Sequence, residues 1–237
     1  MKNLKTYILP ISSLFLSITF LAIGYGIMIT YIGVYLKQTG VSSFSIGLIN
    51  SAFFLGAIAS SIFSQKIIST IGHIRSFASF AALMVIAFLL HSIYLNEFFW
   101  GFLRLISGFS FYALLIIVES WLNEKSSNSQ RGQILAIYTI IFYLSTALGQ
   151  LFLTIPKDSE FFVFTVGSVL VLFSLITIAM TKIKEPILKP FEQYSFPKLY
   201  SIVPLALTGS FIGGFFVGSF FTMLPLTILH KFDSTTI

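Results

Sequence analysis

The 237-residue sequence contains no cysteine, and only 9% of its residues are charged. The absence of cysteine excludes disulfide bonds and thiolate metal sites, although it says nothing about the cellular compartment. A soluble domain carries about 25% charged residues, so this composition excludes an ordinary soluble protein. Hydrophobic residues make up 56% of the chain, and the mean hydropathy is +0.95. We therefore predict an all-α polytopic membrane protein, because helices satisfy their own backbone hydrogen bonds inside a lipid bilayer.

The apolar residues fall into seven segments, each long enough to cross the hydrocarbon core of a bilayer as a helix. The predicted helices cover residues 8–36, 44–65, 76–95, 98–122, 132–155, 161–181 and 200–229. Polar turns join them, one of which spans residues 66–75, and the longest connection is the basic stretch 182–198. We predict three parts: a six-helix transmembrane bundle in 1–181, a central loop in 182–198, and a seventh helix in 199–237.

The net charge of +6 is distributed as the positive-inside rule requires of a membrane protein, and we expect no nucleic-acid partner. An N-terminus in the cytoplasm puts ten basic residues on that side: Lys2, Lys5, Lys66, Arg75, Lys125, Arg131, Lys182, Lys184, Lys189 and Lys198. The other side then holds three: Lys37, Lys157 and Lys231. This bias predicts a multi-pass protein of the inner membrane with a cytoplasmic N-terminus and an external C-terminus.

Arg104 and Glu119 are the two ionisable residues that we place well inside a predicted span, and a charge there is costly enough to suggest function. Arg104 either extends to the outer interface or faces a cavity, where it would meet an anionic substrate, a carboxylate or backbone carbonyls. Asn50 and Tyr31 lie at a similar predicted depth and are its candidate neighbours. Glu119 lies on nearly the same helix face, but about 22 Å further along the axis, so the two cannot pair directly.

Glu119 has two open interpretations near the predicted cytoplasmic end of its helix. It contacts Arg131, Arg75 or the N-terminus of the fifth helix, or it is a protonatable group used in coupling. Trp121 is predicted to anchor the same helix at the membrane interface. We expect Gln150 to be a polar residue of a cavity, and we assign no role to His73.

The block from 104 to 150 resembles the major facilitator superfamily, and in particular its YcaD-like branch. The matching residues are Arg104-Leu-Ile-Ser-Gly108, Glu119-Ser120-Trp121-Leu122, Arg131-Gly132, Leu135-Ala136-x-Tyr138 and Leu148-Gly149-Gln150. The resemblance implies secondary transport of a small solute by alternating access, with possible proton coupling and no cofactor. It also implies a structural role for Gly108, Trp121, Arg131 and Gly132.

Two departures from the family stand out. The loop after the second helix reads Ser69-Thr70-Ile71-Gly72-His73, followed by Arg75, in place of the Asp-Arg-x-Gly-Arg pattern of the family. Gly72 and Arg75 are the remaining candidates for that motif. The family also has twelve helices in two bundles, whereas this chain supplies one bundle and the first helix of the next. A fragment, a truncated or split gene, and a second chain that supplies the missing helices are the open explanations.

Other classes of function find little support in the sequence. There is no His-Glu-x-x-His metal motif and no Gly-x-x-x-x-Gly-Lys-[Ser/Thr] loop, so we expect neither an enzyme nor direct coupling to ATP. A seven-helix receptor would end in the cytoplasm, contrary to the charge bias. The alternative to a transporter is a remnant that does not transport, or an assembly module that depends on a partner.

Overall fold

The computed structural model describes residues 11–154, 160–186 and 195–231, apart from the side chains of 154, 160 and 221–231. Within these ranges the chain forms eight α-helices and no strand, which we number in chain order. They are α1 (Ser12–Gln38), α2 (Ser43–Ile71), α3 (His73–His91), α4 (Glu97–Lys125), α5 (Arg131–Leu151), α6 (Glu160–Ala179), α7 (Phe196–Ile202) and α8 (Pro204–Lys231).

The helices α1 to α6 are each long and apolar enough to cross a membrane, and α7 with α8 make a seventh span if counted as one bent helix. The predicted all-α polytopic fold is therefore confirmed. Side chains cap two of the helices: Ser42 accepts a hydrogen bond from the backbone N–H of Ser45, and Asn96 accepts one from Phe99. The positions assigned above to Lys2, Lys5, Lys157 and Lys189 lie outside the described residues, as does the middle of the central loop.

The predicted polar connection over residues 66–75 is wrong. The helix α2 continues to Ile71, and Gly72 alone separates it from α3. The hydroxyls of Ser69 and Thr70 hydrogen-bond back to the carbonyl oxygen of Lys66, at 2.9 and 2.8 Å, so these polar residues extend the helix. The change in polarity marks the end of the apolar segment and not the end of the helix.

The predicted continuous helix over 200–229 is also wrong, because the chain bends by 109° between α7 and α8. The break is at Val203, whose φ of −134° and ψ of 56° are not helical. Pro204 follows it. A proline disfavours the helical conformation of the preceding residue and has no N–H to donate, which explains a helix start at this position.

The six spanning helices form an open arc. Extensive contacts join them in the order α2–α4–α3–α6–α1–α5, whereas α1 meets α2, and α4 meets α5, at few points in the described part of the chain. The arc does not close between α2 and α5. This leaves an open face whose sides are α2 and α5 and whose back is formed by α1 and α4. The helix α8 packs against α1 and, at fewer points, against α2.

Glycines set the two closest helix crossings. A Cβ atom at Gly108 of α4 would clash with the carbonyl oxygen of Phe53, and one at Gly56 of α2 would clash with that of Leu105. In the crossing of α1 and α5, Gly26 and Gly149 play the same part, since a Cβ atom at either would meet a backbone carbonyl of the other helix. Small residues permit such close approach of backbones between membrane helices.

We predict that Gly108→Ala destabilises the protein by about 2 kcal/mol or more, because the added methyl group meets backbone atoms that cannot move aside. Gly101→Ala is the matched control on the same helix, since a Cβ atom there would find no neighbour within 4 Å. Thermal unfolding of the detergent-solubilised protein measures both. Equal unfolding temperatures for the two variants would contradict the close crossing.

Candidate functional site

The open face presents a half-exposed stripe of α4 between the two sides of the arc. Tyr112, Ile116 and Glu119 follow one another along it at helical spacing. Tyr112 also forms the back of a cleft of about 960 Å³ between α2 and α8, which is lined by phenylalanine, serine and glycine. This face is the part of the bundle where a concave, solute-accessible surface would form.

Arg104 lies behind this face and is only 1% exposed, so the interpretation that it extends to the membrane interface is wrong. The carbon at the centre of its guanidinium lies 4.5 Å from the centroid of the Phe53 ring, a cation–π contact. Its Nε and Nη2 atoms have no hydrogen-bond partner among the described residues. A buried cation with free donors is costly.

The aromatic residues around Arg104 were not anticipated from the sequence. Tyr25 of α1 stacks on Phe111 of α4 with ring centroids 4.1 Å apart, and Phe53 lies 6.0 Å from each of these two rings. Phe111 is seven residues after Arg104, which puts it on the same side of α4. That spacing was the available signal, but the abundance of phenylalanine, at 28 residues, concealed it.

The predicted neighbours of Arg104 lie on two other helices. Asn50 is buried on α2, one turn before Phe53, with an unpartnered Oδ1 atom, and Tyr31 of α1 packs edge-on against Phe164 of α6 at 5.4 Å. The predicted cavity residue Gln150 is half-buried on α5, and its Nε2 atom is 3.4 Å from Thr30 Oγ1 of α1.

Glu119 is bound by α5 and not by a basic residue. Its Oε1 atom accepts a hydrogen bond of 2.9 Å from the hydroxyl of Tyr138, two turns into α5. The proposed contacts with Arg131, Arg75 or the N-terminus of α5 are thus corrected. Arg104 contacts Phe53 of α2 whereas Glu119 bonds to Tyr138 of α5, so the two residues have partners on different helices.

The end of α4 is held by two further contacts, close to Glu119. Trp121 is fully buried, and its Nε1 atom donates to the backbone oxygen of Lys184 at 3.2 Å. The predicted interface anchor is wrong because the segment after α6 folds over the indole. Ser120 is 3.0 Å from Nε2 of His73, whose ring packs edge-on against Trp121. His73, to which we assigned no role from its sequence position, therefore joins α3 to α4.

The turn between α2 and α3 is closed by a carboxylate from the segment after α6. Glu185 Oε2 accepts a hydrogen bond of 2.8 Å from the backbone N–H of His73, at the N-terminus of α3, where negative charge is favourable. Gly72 has a φ of 87° and a ψ of 167°, a conformation open almost only to glycine. A Cβ atom there would lie 2.8 Å from Glu185 Oε2.

The remaining motif residues make few contacts with other parts of the described chain. Arg75, Arg131 and Gly132 are accessible at the ends of their helices, and none makes an ion pair with another described residue. The structure offers no account of why the family pattern would contain Gly132. No group of three or more histidine and acidic residues in the described ranges could hold a metal ion.

Comparison with known proteins decides the family. The model of the major facilitator superfamily matches residues 14–237. The chain belongs to this superfamily. Membership puts it among membrane transporters and not among enzymes, and together with its spans makes it a multi-pass inner-membrane protein.

The relatives support the YcaD-like resemblance. The uncharacterized MFS-type transporter YcaD of Salmonella typhimurium is 23% identical over 232 residues, and that of Escherichia coli O6:K15:H31 is 24% identical. Each match covers 96% of this chain but 60% of the relative, so the chain spans about three fifths of the length of these proteins.

A solved structure shares the fold. It is a bacterial homologue of the human lysosomal transporter Spinster, in an inward-facing and unoccupied conformation. The TM-score is 0.65 at 15% sequence identity, over 98% of this chain and 57% of that one.

We predict that Gly72→Ala destabilises the protein through two effects, the strained backbone and the clash with Glu185. Gly40→Ala is the control, because Gly40 also has a positive φ, of 84°, but has nothing within 4 Å of a Cβ atom. The clash is isolated by making Gly72→Ala again in a Glu185→Ala background, where thermal unfolding should show a smaller loss. An identical loss in both backgrounds would argue against the contact.

Proposed function

We propose that this chain forms the first bundle, and the start of the second, of a secondary transporter that moves a small anionic solute by alternating access. The open face between α2 and α5 supports this proposal, because a bundle whose arc does not close provides one wall of a central cavity. Family members hold their substrates at mid-membrane between two such bundles.

The observation that carries the anionic class is the unpaired guanidinium of Arg104. Two of its nitrogen atoms lack partners in a buried site, and no acidic side chain in the described ranges forms an ion pair with it. An arginine presents its donors in a planar fork that fits carboxylates and phosphates. We infer that opening of α4 relative to its neighbours admits the anion to these donors.

The second wall of the cavity has to come from further helices. Leu205, Phe211 and Phe215 of α8 are each more than two thirds exposed, so this helix has an apolar surface free for packing. A longer product and a second chain would both supply the missing helices. A remnant that does not transport, or an assembly module that depends on a partner, is the alternative, and a transport assay separates it from the proposal.

We predict that Arg104→Gln abolishes uptake of the transported anion, with at least a tenfold loss, because it removes the charged guanidinium group while leaving a polar side chain. Uptake is measured in proteoliposomes containing the native gene product, with mono- and dicarboxylates and inorganic phosphate as probes. Lys66→Gln is the control, as it removes one exposed positive charge.

Full uptake by Arg104→Gln would remove the arginine from the site. If wild-type protein transported a cationic or neutral solute and none of the anions, the anionic class would be wrong. No uptake of any of these solutes by the wild type would favour the remnant or the assembly module.

We further propose that the N-terminus lies in the cytoplasm, as the distribution of basic residues indicates. The chain has no cysteine, so single cysteines can be labelled without background. Asn128→Cys, between α4 and α5, should resist a membrane-impermeant maleimide in intact cells, whereas Gln38→Cys, at the end of α1, should react. Both side chains are exposed at their helix ends. The reverse labelling pattern would invert the topology.

A further inference from the structure

The contact between α4 and α5 is sparse and has two parts. In the interior, the rings of Phe111 and Phe142 lie 6.3 Å apart. Nearer the turn that joins the two helices, the hydroxyl of Tyr138 donates to Glu119 at 2.9 Å. This is the one side-chain hydrogen bond between α4 and α5 in the described part of the chain. The main packing surface of α5 is on α1, so this bond is the polar tie between two helices that otherwise barely touch.

Glu119 lies in a site that can exchange a proton. Its side chain is half-buried, while Tyr138 is only 7% exposed, so the carboxylate is accessible but its partner is fixed. Tyr138 is the one described side chain that forms a hydrogen bond with this carboxylate. The charged and titratable groups at the same end of the neighbouring elements form no ion pair with it in the described ranges: Lys66, His73, Arg75, Glu124, Lys125, Arg131, Lys184 and Glu185.

The two residues after Glu119, Ser120 and Trp121, make contacts at this end of α4 that do not depend on Glu119. Ser120 is bonded to His73 of α3, and Trp121 is bonded to the backbone of Lys184 after α6. Three consecutive side chains therefore point to three different elements. The bonds of Ser120 and Trp121 do not involve the carboxylate, so a change at Glu119 acts on the contact with α5 alone.

A hydrogen bond to a charged carboxylate is about twice as strong as one between neutral groups, and more so in a poorly solvated site. Protonation of Glu119 forms one O–H bond on its carboxylate with a proton from water, and Tyr138 keeps its own hydrogen. The tie to α5 is then one between neutral groups. The weakened tie frees α5, which forms one side of the open face.

We propose that Glu119 is a proton-binding site, with Tyr138 as the positioning residue that makes the contact between α4 and α5 depend on the bound proton. The inference rests on the proposed function, in which a displacement of α5 widens the solute pathway. The inference adds to that function the proton as coupling ion, Glu119 as the residue that binds it, and α5 as the helix that moves in response.

The first test is infrared titration of the purified protein, which reports the C=O stretch of a protonated carboxyl group and needs no solute. Because the chain has eight aspartate and glutamate residues, the signal is the difference between wild type and Glu119→Gln, in which we expect one carboxyl band that appears on acidification. In Tyr138→Phe the midpoint of this band should move to higher pH by about one unit, a tenfold change in proton affinity, because the charged form loses its donor. Tyr143→Phe, at an exposed tyrosine of the same helix, should leave the midpoint unchanged.

The second test follows the response of α5. Spin labels at Glu124→Cys and Gln133→Cys, two exposed positions on either side of the turn, report the distance between α4 and α5 in liposomes. We expect the distance distribution to widen on acidification in the wild type. It should stay wide at every pH in Glu119→Gln, and should lose most of its pH dependence in Tyr138→Phe.

No difference in the carboxyl band between wild type and Glu119→Gln, or an unchanged midpoint in Tyr138→Phe, would overturn the proton site. A distance between the labels that is independent of pH but changes with sodium concentration at constant pH would indicate a metal cation as the coupling ion. That result would also overturn the proton site. Neither test requires transport. Intact titration with no solute uptake would therefore contradict the proposed function and leave the proton site standing.

Discussion

Close approach of helix backbones at four glycines is the constraint on which the bundle depends. Gly56 and Gly108 join α2 to α4, and Gly26 and Gly149 join α1 to α5, each with backbone carbonyls where a Cβ atom would lie. These crossings form the two arms of the arc, because they hold α2 on α4 and α5 on α1. Lipid provides no hydrophobic force between helices, so close packing of this kind has to hold them.

The same contacts reveal an internal repeat. Exchange of α1, α2 and α3 with α4, α5 and α6 turns the α1–α5 contact into the α4–α2 contact, and α1–α6 into α4–α3, while α3–α6 is unchanged. Two of the sparse contacts, α1–α2 and α4–α5, also exchange. The four glycines obey this rule, with one on each of α1, α2, α4 and α5. Repeats of this kind are common in transporter folds, and here the repeat makes the α4–α5 contact sparse by architecture.

The sequence predicted the spans well because the length of an apolar run is a local property. It also identified Arg104 and Glu119, since a charge in such a run is conspicuous. It did not predict that Phe53 or Tyr138 would be their partners, because these pairings depend on where helices cross. Nor could it show that the segment after α6 returns over Trp121, which turned an expected interface anchor into a buried residue. The predicted division into residues 1–181, 182–198 and 199–237 stays a prediction.

Buried polar atoms without hydrogen-bond partners occur at more than one depth of the bundle. At the end where α4 meets the segment after α6, Ser120, Trp121 and Glu185 have partners, whereas the hydroxyls of Ser64 and Ser76 do not. Arg104 differs from these serines because it carries a charge, which costs about 3 kcal/mol at the centre of a membrane helix even on insertion scales. An unpaired hydroxyl costs less than an unpaired charge. The unpaired donors of Arg104 are therefore the observation on which our proposal of an anionic solute depends.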